Sequence, residues 1–267
     1  MKLLNGAELA GYIKERHAKQ VRSLKGRKIH PKLAIVQAKD DPVIDTYVSL
    51  KRKYGADIGV DVELHKIKQA EVASVLKKLN QDSLVHGIII QLPLSDPSQT
   101  DEIVNQVAPA KDVDSLGAGS EFTPATPMAI LWLLSGYNIG LAGLSILLIG
   151  RGKLVGAPLE KILKDSGYKV EVIEREVPDL KEYTLDADII ITATGSPAIL
   201  YPDMIKKGAV VVDAGVASEH GKTVGDLAPE VYERDDLTLT PEKGGVGPLT
   251  VCALFENVIR AAQNGAR

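Results

Sequence analysis

The stretch ILLIGRGKLVGAPLEKIL, Ile146 to Leu163, decides the fold. An apolar run stops at Gly150, a short Gly/Arg/Lys turn follows, and the chain restarts as an amphipathic pattern. That is the order strand, turn, helix. Glycines at 150, 152 and 156 let a backbone turn sharply and come close to a pyrophosphate, and the helix that follows offers N–H groups and a positive dipole end. The spacing G-x-G-x-x-x-G is one residue longer than the usual dinucleotide fingerprint, and it lacks the lysine-then-hydroxyl ending of a P-loop. Taken alone, the turn serves equally well as a tight strand-to-helix connection, so the rest of the chain has to decide.

Around this turn, four strand candidates recur at 145–149, 169–173, 187–192 and 209–213, separated by helices or turns and preceded by a helix over 128–134. This is the pattern of a doubly wound parallel unit. Upstream, residues 5–24 read as an amphipathic helix, PKLAIVQA as a buried strand, and DPVIDTYVSLKRKYGADIGV as a helix ending near Gly55 to Gly59. DVELHKI reads as a strand, 70–79 as a helix, and 100–107 as a short helix. GIIIQLPL, 87–94, is a continuous apolar run, as expected of a parallel strand covered on both faces. The Gly/Ser/Pro-rich AGSEFTPATP marks a boundary between two α/β regions, and GGVGPLTVCALFENVIRAAQ closes the chain as a helix opened by glycines.

The chain has 267 residues, 45% hydrophobic and 25% charged, with a net charge of −3. This is an ordinary globular composition, and the charge argues against a broad nucleic-acid surface. Cys252 is the sole cysteine, which excludes an internal disulfide and fits a reducing compartment. No apolar run reaches membrane-spanning length, and the opening MKLLNGAELA turns polar too soon for a signal peptide. The expectation is a cytoplasmic protein that does not bind membranes. The five histidines form no metal-ligand spacing and there is no cysteine cluster, so no metal is expected.

Several polar islands stand out. Tyr47 and Lys51 lie four apart on one helix and share a face. A tyrosine can stack on a flat heterocycle, and a lysine whose pKa burial lowers can move a proton; on an arbitrary helix the pair would more simply be a core Tyr beside a solvated Lys. Gln91 ends the GIIIQ strand, where ligands gather in open α/β sheets, and offers both a donor and an acceptor. KDVDS places Asp112 and Asp114 on alternate positions. A carboxylate there either takes two N–H groups from an amino-substituted pyrimidine edge or serves local turn chemistry.

Taken in order, these islands resemble the bifunctional methylenetetrahydrofolate dehydrogenase/cyclohydrolase family. YVSLK matches its Y-V-x-x-K, GIIIQLPL its G-[IL]-x-[VI]-Q-L-P-L, KDVDS its K-D-V-D-G and TPATP its P-C-T-P. IGRGKLVGAP is similar to G-R-S-x-x-V-G-x-P, KKGAVVVDAG to K-x-G-A-x-V-I-D-V-G, and GGVGPLT to G-G-V-G-P-M-T. The matches are collinear over nearly the whole chain. The resemblance implies two α/β domains: a folate-binding catalytic domain over 1–120, joined by a C-terminal helix over 244–267, and a Rossmann-like NAD(P)-binding domain with a parallel sheet over 121–243.

It also implies roles. Tyr47 would stack on the folate ring system, Lys51 would be the catalytic lysine, Gln91 would hold and tune it, and Asp114 would grip the pterin. Leu92, Pro93, Pro248 and Thr250 would lie beside the folate. Gly150, Arg151, Gly152, Val155, Gly156 and Thr194 would hold the dinucleotide, with Glu174 and Arg175 at the ribose. The implied reactions are oxidation of 5,10-methylenetetrahydrofolate and hydrolysis of the methenyl product to 10-formyltetrahydrofolate, in a homodimer serving one-carbon metabolism and purine biosynthesis. Other readings are a dehydrogenase with little cyclohydrolase activity and a non-catalytic folate or nucleotide binder. Intact Lys51, Gln91 and Asp114 weigh against both.

Some positions depart from the family pattern. Gly152 replaces its Ser, Ser115 its Gly, Ile44 a frequent Ser, and TPEKGGVG its T-P-V-P-G-G-V-G, which places Glu242 and Lys243 near the cofactor. The loop between KDVDS and TPATP is also shorter than usual. About 20 residues past the glycine turn, where the ribose is read, Glu174 favours a free 2′-OH and so NAD, while Arg175 and Arg151 favour a 2′-phosphate. Two arginines against one glutamate lead to NADP as the expected cofactor, with NAD the alternative.

Overall fold

The computed structural model describes residues 1–174, 179–219 and 222–265. In chain order the strands and helices are β1 (Lys2–Leu3), α1 (Gly6–Gly26), β2 (Lys32–Gln37), α2 (Pro42–Ile58), β3 (Asp61–Lys66), α3 (Val72–Gln81), β4 (Gly87–Gln91), α4 (Thr100–Val104) and α5 (Ala125–Gly136). They continue with β5 (Ile146–Ile149), α6 (Gly156–Asp165), β6 (Val170–Ile173), α7 (Leu180–Asp186), β7 (Ile189–Thr192), β8 (Val210–Asp213), β9 (Ala217–Glu219), β10 (Lys222–Val224), β11 (Thr238–Leu239) and α8 (Val246–Asn264). The residues form two compact units. One holds residues 11–125 and the chain from Val251 onward; the other holds residues 1–10 and 126–250.

In the first unit a three-stranded parallel sheet runs in the order β3-β2-β4. All five residues of β4 are buried, which is why GIIIQ is apolar without alternation. Its register sets Gln37 opposite both Gln91 and Lys66, so three polar side chains end adjacent strands at the carboxyl edge. α3 buries Val72, Leu76 and Leu79, at helical spacing, in a core that includes Ile88, Ile90 and Leu94. α2 starts where sequence chemistry dictates. The Asp41 carboxylate accepts from the Val43 N–H at 2.9 Å, Pro42 occupies the first turn, and Gly59 ends the helix at φ 84°. Within the same unit the end of α8 is locked by Asn257, which is fully buried and donates to the carbonyls of Val113 and Thr123 at 2.8 Å each.

The second unit contains a six-stranded sheet in the order β1-β11-β8-β7-β5-β6, every pairing parallel. β5 has β6 on one side and β7 on the other, so the strand order reverses at its carboxyl end. That is the crevice where ligands gather in open α/β sheets, and Gly150 follows directly. The four long strands coincide with the sequence expectation to within two residues at each start. The two-residue strands β1 and β11 and the antiparallel β9–β10 pair do not show in a hydrophobic pattern, being too short to carry one. Because β1 pairs with β11, the first ten residues group with 126–250, whereas the sequence reading keeps them with the residues up to 120.

Candidate functional site

α2 carries Tyr47 and Lys51 one turn apart, and β4 ends in Gln91. The Lys51 ammonium donates to Gln91 Oε1 at 2.6 Å. The Gln91 amide N–H donates to the Leu92 carbonyl at 3.2 Å, which fixes the oxygen, not the nitrogen, toward the lysine. Asp114 acts electrostatically on the same ammonium. Burial pulls the Lys51 ammonium below the ordinary lysine range, and the Asp114 charge opposes this. Burial likewise pushes the Asp114 carboxyl up, with Lys51 pulling the other way. Tyr47 is 41% exposed, so its ring face is open to a ligand instead of filling the core. Leu92 is half-buried and packs against the unit's core, Pro93 is exposed, and their peptide bond is cis.

The two aspartates of KDVDS divide the alternatives the sequence left open. Asp112 is buried and accepts from the N–H groups of Gly117 at 2.8 Å and Leu116 at 3.4 Å, which is turn chemistry. Asp114 is the one whose charge acts on Lys51.

Gln37 is a contributor that the sequence reading passed over. Its side chain is 2% exposed, donates to the Lys39 carbonyl at 2.9 Å and to Asp45 Oδ1 at 2.8 Å, and so ties the first turn of α2 to the end of β2. Asp45 also pairs with Lys66 at 2.8 Å. A polar residue ending a strand beside GIIIQ is the signal that could have flagged it.

In the other unit, Gly150 sits at φ 97°, and a Cβ there would lie 2.7 Å from the Ala193 carbonyl oxygen. A Cβ at Gly156 would overlap the backbone carbonyl of Gly150. These two glycines are required by the turn itself. Gly152 is different, since a Cβ there meets nothing within 4 Å. Val155 precedes α6, and the helix opens at Gly156 without a side-chain cap. The Arg151 Nε donates to Glu160 at 2.7 Å, and Glu160 also takes Lys164 at 2.7 Å, so both cations hold the Glu160 carboxyl below its usual range. Thr194 follows β7 with its hydroxyl accepting from the Ser196 N–H at 3.1 Å. Glu174 is exposed just past β6. Arg175 lies outside the described residues. Pro248 and Thr250 stand half-buried near the start of α8, within the unit that holds residues 126–250.

Comparison with known proteins decides what this arrangement belongs to. The family model described as the tetrahydrofolate dehydrogenase/cyclohydrolase catalytic domain matches residues 4–114, and that of the NAD(P)-binding domain matches 124–266. The chain belongs to the tetrahydrofolate dehydrogenase/cyclohydrolase family. It is 37% identical to the bifunctional protein FolD of Campylobacter jejuni, over 99% of each chain. The crystal structure of a bifunctional FolD methylenetetrahydrofolate dehydrogenase/cyclohydrolase from Campylobacter jejuni superposes with a TM-score of 0.93, covering 99% of each chain. The Trypanosoma brucei family member, solved with NADP cofactor and inhibitor, superposes with a TM-score of 0.92 at 27% identity, over 99% of this chain and 98% of that one. The residues Tyr47, Lys51, Gln91 and Asp114 thus stand within the span matched by the family's catalytic domain, and the 150–156 turn within that matched by its nucleotide domain. Among the described residues no group of three or more side chains could hold a metal, and no helix is long and apolar enough to cross a membrane.

Proposed function

We propose that the protein oxidises 5,10-methylenetetrahydrofolate to the methenyl form with NADP and hydrolyses the methenyl form to 10-formyltetrahydrofolate. The observation that carries the reading is the Lys51 ammonium, held at 2.6 Å by Gln91, which burial pulls toward the neutral amine against the Asp114 charge. Hydrolysis needs this. A neutral Lys51 takes a proton from the water that adds to the methenyl carbon, the resulting ammonium gives it to the ring nitrogen as its bond to that carbon breaks, and the remaining hydroxyl proton leaves to solvent as the formyl carbonyl forms. Tyr47 offers an exposed aromatic face for the folate ring, and Asp114 accepts from its amino-substituted edge.

The oxidation asks for less acid–base help. The nitrogens flanking the methylene carbon carry the developing positive charge, so positioning dominates. NADP, when bound, accepts the hydride. The 150–156 turn fits a dinucleotide pyrophosphate: it sits at the strand-order reversal, opens a helix N-terminus and excludes side chains at Gly150 and Gly156. Arg151 and Arg175 would meet the 2′-phosphate, and the NADP complex of the Trypanosoma brucei relative favours the same choice. A homodimeric state and a supply role for purine biosynthesis, carried by the family resemblance, and a cytoplasmic location, carried by the single cysteine and the polar opening of the sequence, complete the proposal. A single assay tests its core. Protein, 5,10-methylenetetrahydrofolate and NADP are mixed, and NADPH and methenyl absorbance are followed together. NADPH formation with methenyl turnover above the uncatalysed rate is expected; methenyl accumulation without catalysed decay would remove the hydrolase.

A further inference from the structure

Two carboxylates of the nucleotide unit, the fully buried Asp226 and the half-buried Asp213, have no part in the mechanism above. Asp226 is fully buried and accepts from the backbone N–H groups of Thr194 at 2.9 Å and Ser196 at 3.0 Å, one on each carboxylate oxygen. Asp213 ends β8 and accepts from Gly215 at 2.9 Å, Asp226 at 2.9 Å and Leu227 at 3.2 Å, with the Thr192 hydroxyl at 3.3 Å. Its own N–H donates to the Thr240 hydroxyl at 3.0 Å. The two aspartates are interleaved. A Cβ at Gly215, in the Asp213 segment, would overlap the Asp226 carboxylate, and a Cβ at Gly225, beside Asp226, would overlap the Asp213 carboxylate. Each carboxylate fills the space left by the other segment's glycine.

This interlock controls the loop after β7. The amides of Thr194 and Ser196 are spent on Asp226, and a buried carboxylate beneath them is the wrong charge for a phosphate above. The Thr194 hydroxyl accepts from the Ser196 N–H and so keeps its own proton available to donate. Thr194 also packs against the glycine turn: a Cβ on Gly150 would lie 3.1 Å from its Cγ2. We infer that Asp226, braced by Asp213, is a positioning residue for the nucleotide: it fixes the Thr194–Ser196 loop so that the Thr194 hydroxyl, not the loop amides, meets an uncharged part of the dinucleotide. The inference rests on the dehydrogenase reading and adds the device that shapes this side of the cofactor site.

The test uses the full-length protein. Asp226→Asn presents an N–H₂ where one of the two amides needs an acceptor, and should raise the KM for NADP by about fivefold or more. Methenyl hydrolysis, which uses no nucleotide, and the KM for folate should stay within about twofold. Gly215→Ala, which pushes on the same carboxylate with Asp226 intact, should give the same split, and the double variant should be no worse than the more impaired single. Unchanged NADP KM in Asp226→Asn, or equal loss of both activities, would overturn the inference. A measurement on the unaltered protein stands apart from any folding defect. Hydrogen exchange at the Thr194 and Ser196 amides should be slow without nucleotide and hardly altered by NADP. Fast exchange that slows only on adding NADP would show these amides to be the ligand's donors and sink the idea. Failure of the dehydrogenase reading looks different, since the unaltered protein would then form no NADPH.

Discussion

Gln91 Oε1 accepts the Lys51 ammonium at 2.6 Å, while the Gln91 N–H₂ is spent on the Leu92 carbonyl. The lysine therefore faces an oxygen that stabilises its charge only as a neutral dipole can, and burial outweighs that help and the Asp114 charge together. The sign of the pH dependence follows. Lys51 loses its proton at lower pH than an ordinary lysine, so methenyl hydrolysis should rise with pH through that depressed pKa and then level. Asp114→Asn removes a charge that raises the pKa, so the rising limb of kcat should move to lower pH. Gln91→Glu adds one and should move it to higher pH. Saturating-folate pH profiles, corrected for the uncatalysed rate, check this; a limb displaced upward in Asp114→Asn would contradict the assignment of Lys51 as base.

Asp114 should also govern substrate affinity. Its carboxylate is the one the turn leaves unused, since Asp112 is committed to Leu116 and Gly117. Losing a charge-assisted partner costs about 1.5–3 kcal/mol, or roughly tenfold or more in binding. Asp114→Ala should raise the folate KM by that factor and leave NADP affinity nearly unchanged, because the nucleotide turn belongs to another unit. Calorimetric titration with each ligand separates this from misfolding, which would weaken both.

The sequence made these elements legible because their chemistry is local. GIIIQ is a buried strand whatever surrounds it, and Asp41-Pro42 opens a helix by capping and fixed φ. Tyr47 and Lys51 share a face by helical spacing alone. What escaped was non-local. β11 is a strand only because it adds to β8, and β1 only because it adds to β11, and two residues each carry no period. The Asp213–Asp226 interlock joins segments 13 residues apart through backbone amides, so its visible trace was only a carboxylate near a glycine in DAG and GD. Gln37 matters through register with Gln91, and register is a property of paired strands.

The three glycines of the 150–156 turn should not respond alike. Gly150→Ala sets a side chain 2.7 Å from the Ala193 carbonyl at φ 97°, and Gly156→Ala drives one into the Gly150 carbonyl. Each should cost about 1–3 kcal/mol of stability, and the turn that survives should bind NADP poorly. Gly152→Ser enters open space and should leave the melting temperature unchanged. Thermal melts with and without NADP check this. A Gly152→Ser variant as unstable as Gly150→Ala would mean the turn is closed where the structure has it open.

Within the unit that holds residues 11–125, His17 is fully buried, with Nε2 2.9 Å from Glu256 and Nδ1 3.0 Å from the Tyr54 hydroxyl; Arg16 adds a 2.6 Å contact to the same carboxylate. The His17 hydrogen bond is the largest influence holding the Glu256 carboxyl below its usual range. Its folded pKa is therefore lower than its unfolded one, and the stability this supplies is present above the unfolded value near 4.5 and lost as pH falls through the folded value. Glu256→Gln should lower the melting temperature at pH 7, and the gap to the unaltered protein should narrow progressively as pH falls below about 4.5. A gap that persists undiminished in acid would assign the loss to packing.

The remaining choice, NADP over NAD, turns on the end of β6. Glu174 is exposed there, so its carboxylate can point to solvent when a 2′-phosphate arrives. Arg151 is already held by Glu160 at 2.7 Å, which orients it beside the turn but offsets part of its charge. On the proposed reading the second guanidinium for the 2′-phosphate is that of Arg175, whose planar fork suits a bidentate contact. Arg175→Ala should raise the KM for NADP about tenfold or more while leaving the KM for NAD within about twofold, because the ribose 2′-OH does not need the guanidinium. Glu174→Ala should leave NADP use intact or improve it, since removing a like charge cannot weaken a phosphate. Glu160→Gln should lower the NADP KM at low salt by releasing the Arg151 charge, an effect that fades as salt screens it. An unaltered protein that prefers NAD, and loses that preference in Glu174→Ala, would reverse the assignment and make Glu174 the residue that reads the ribose.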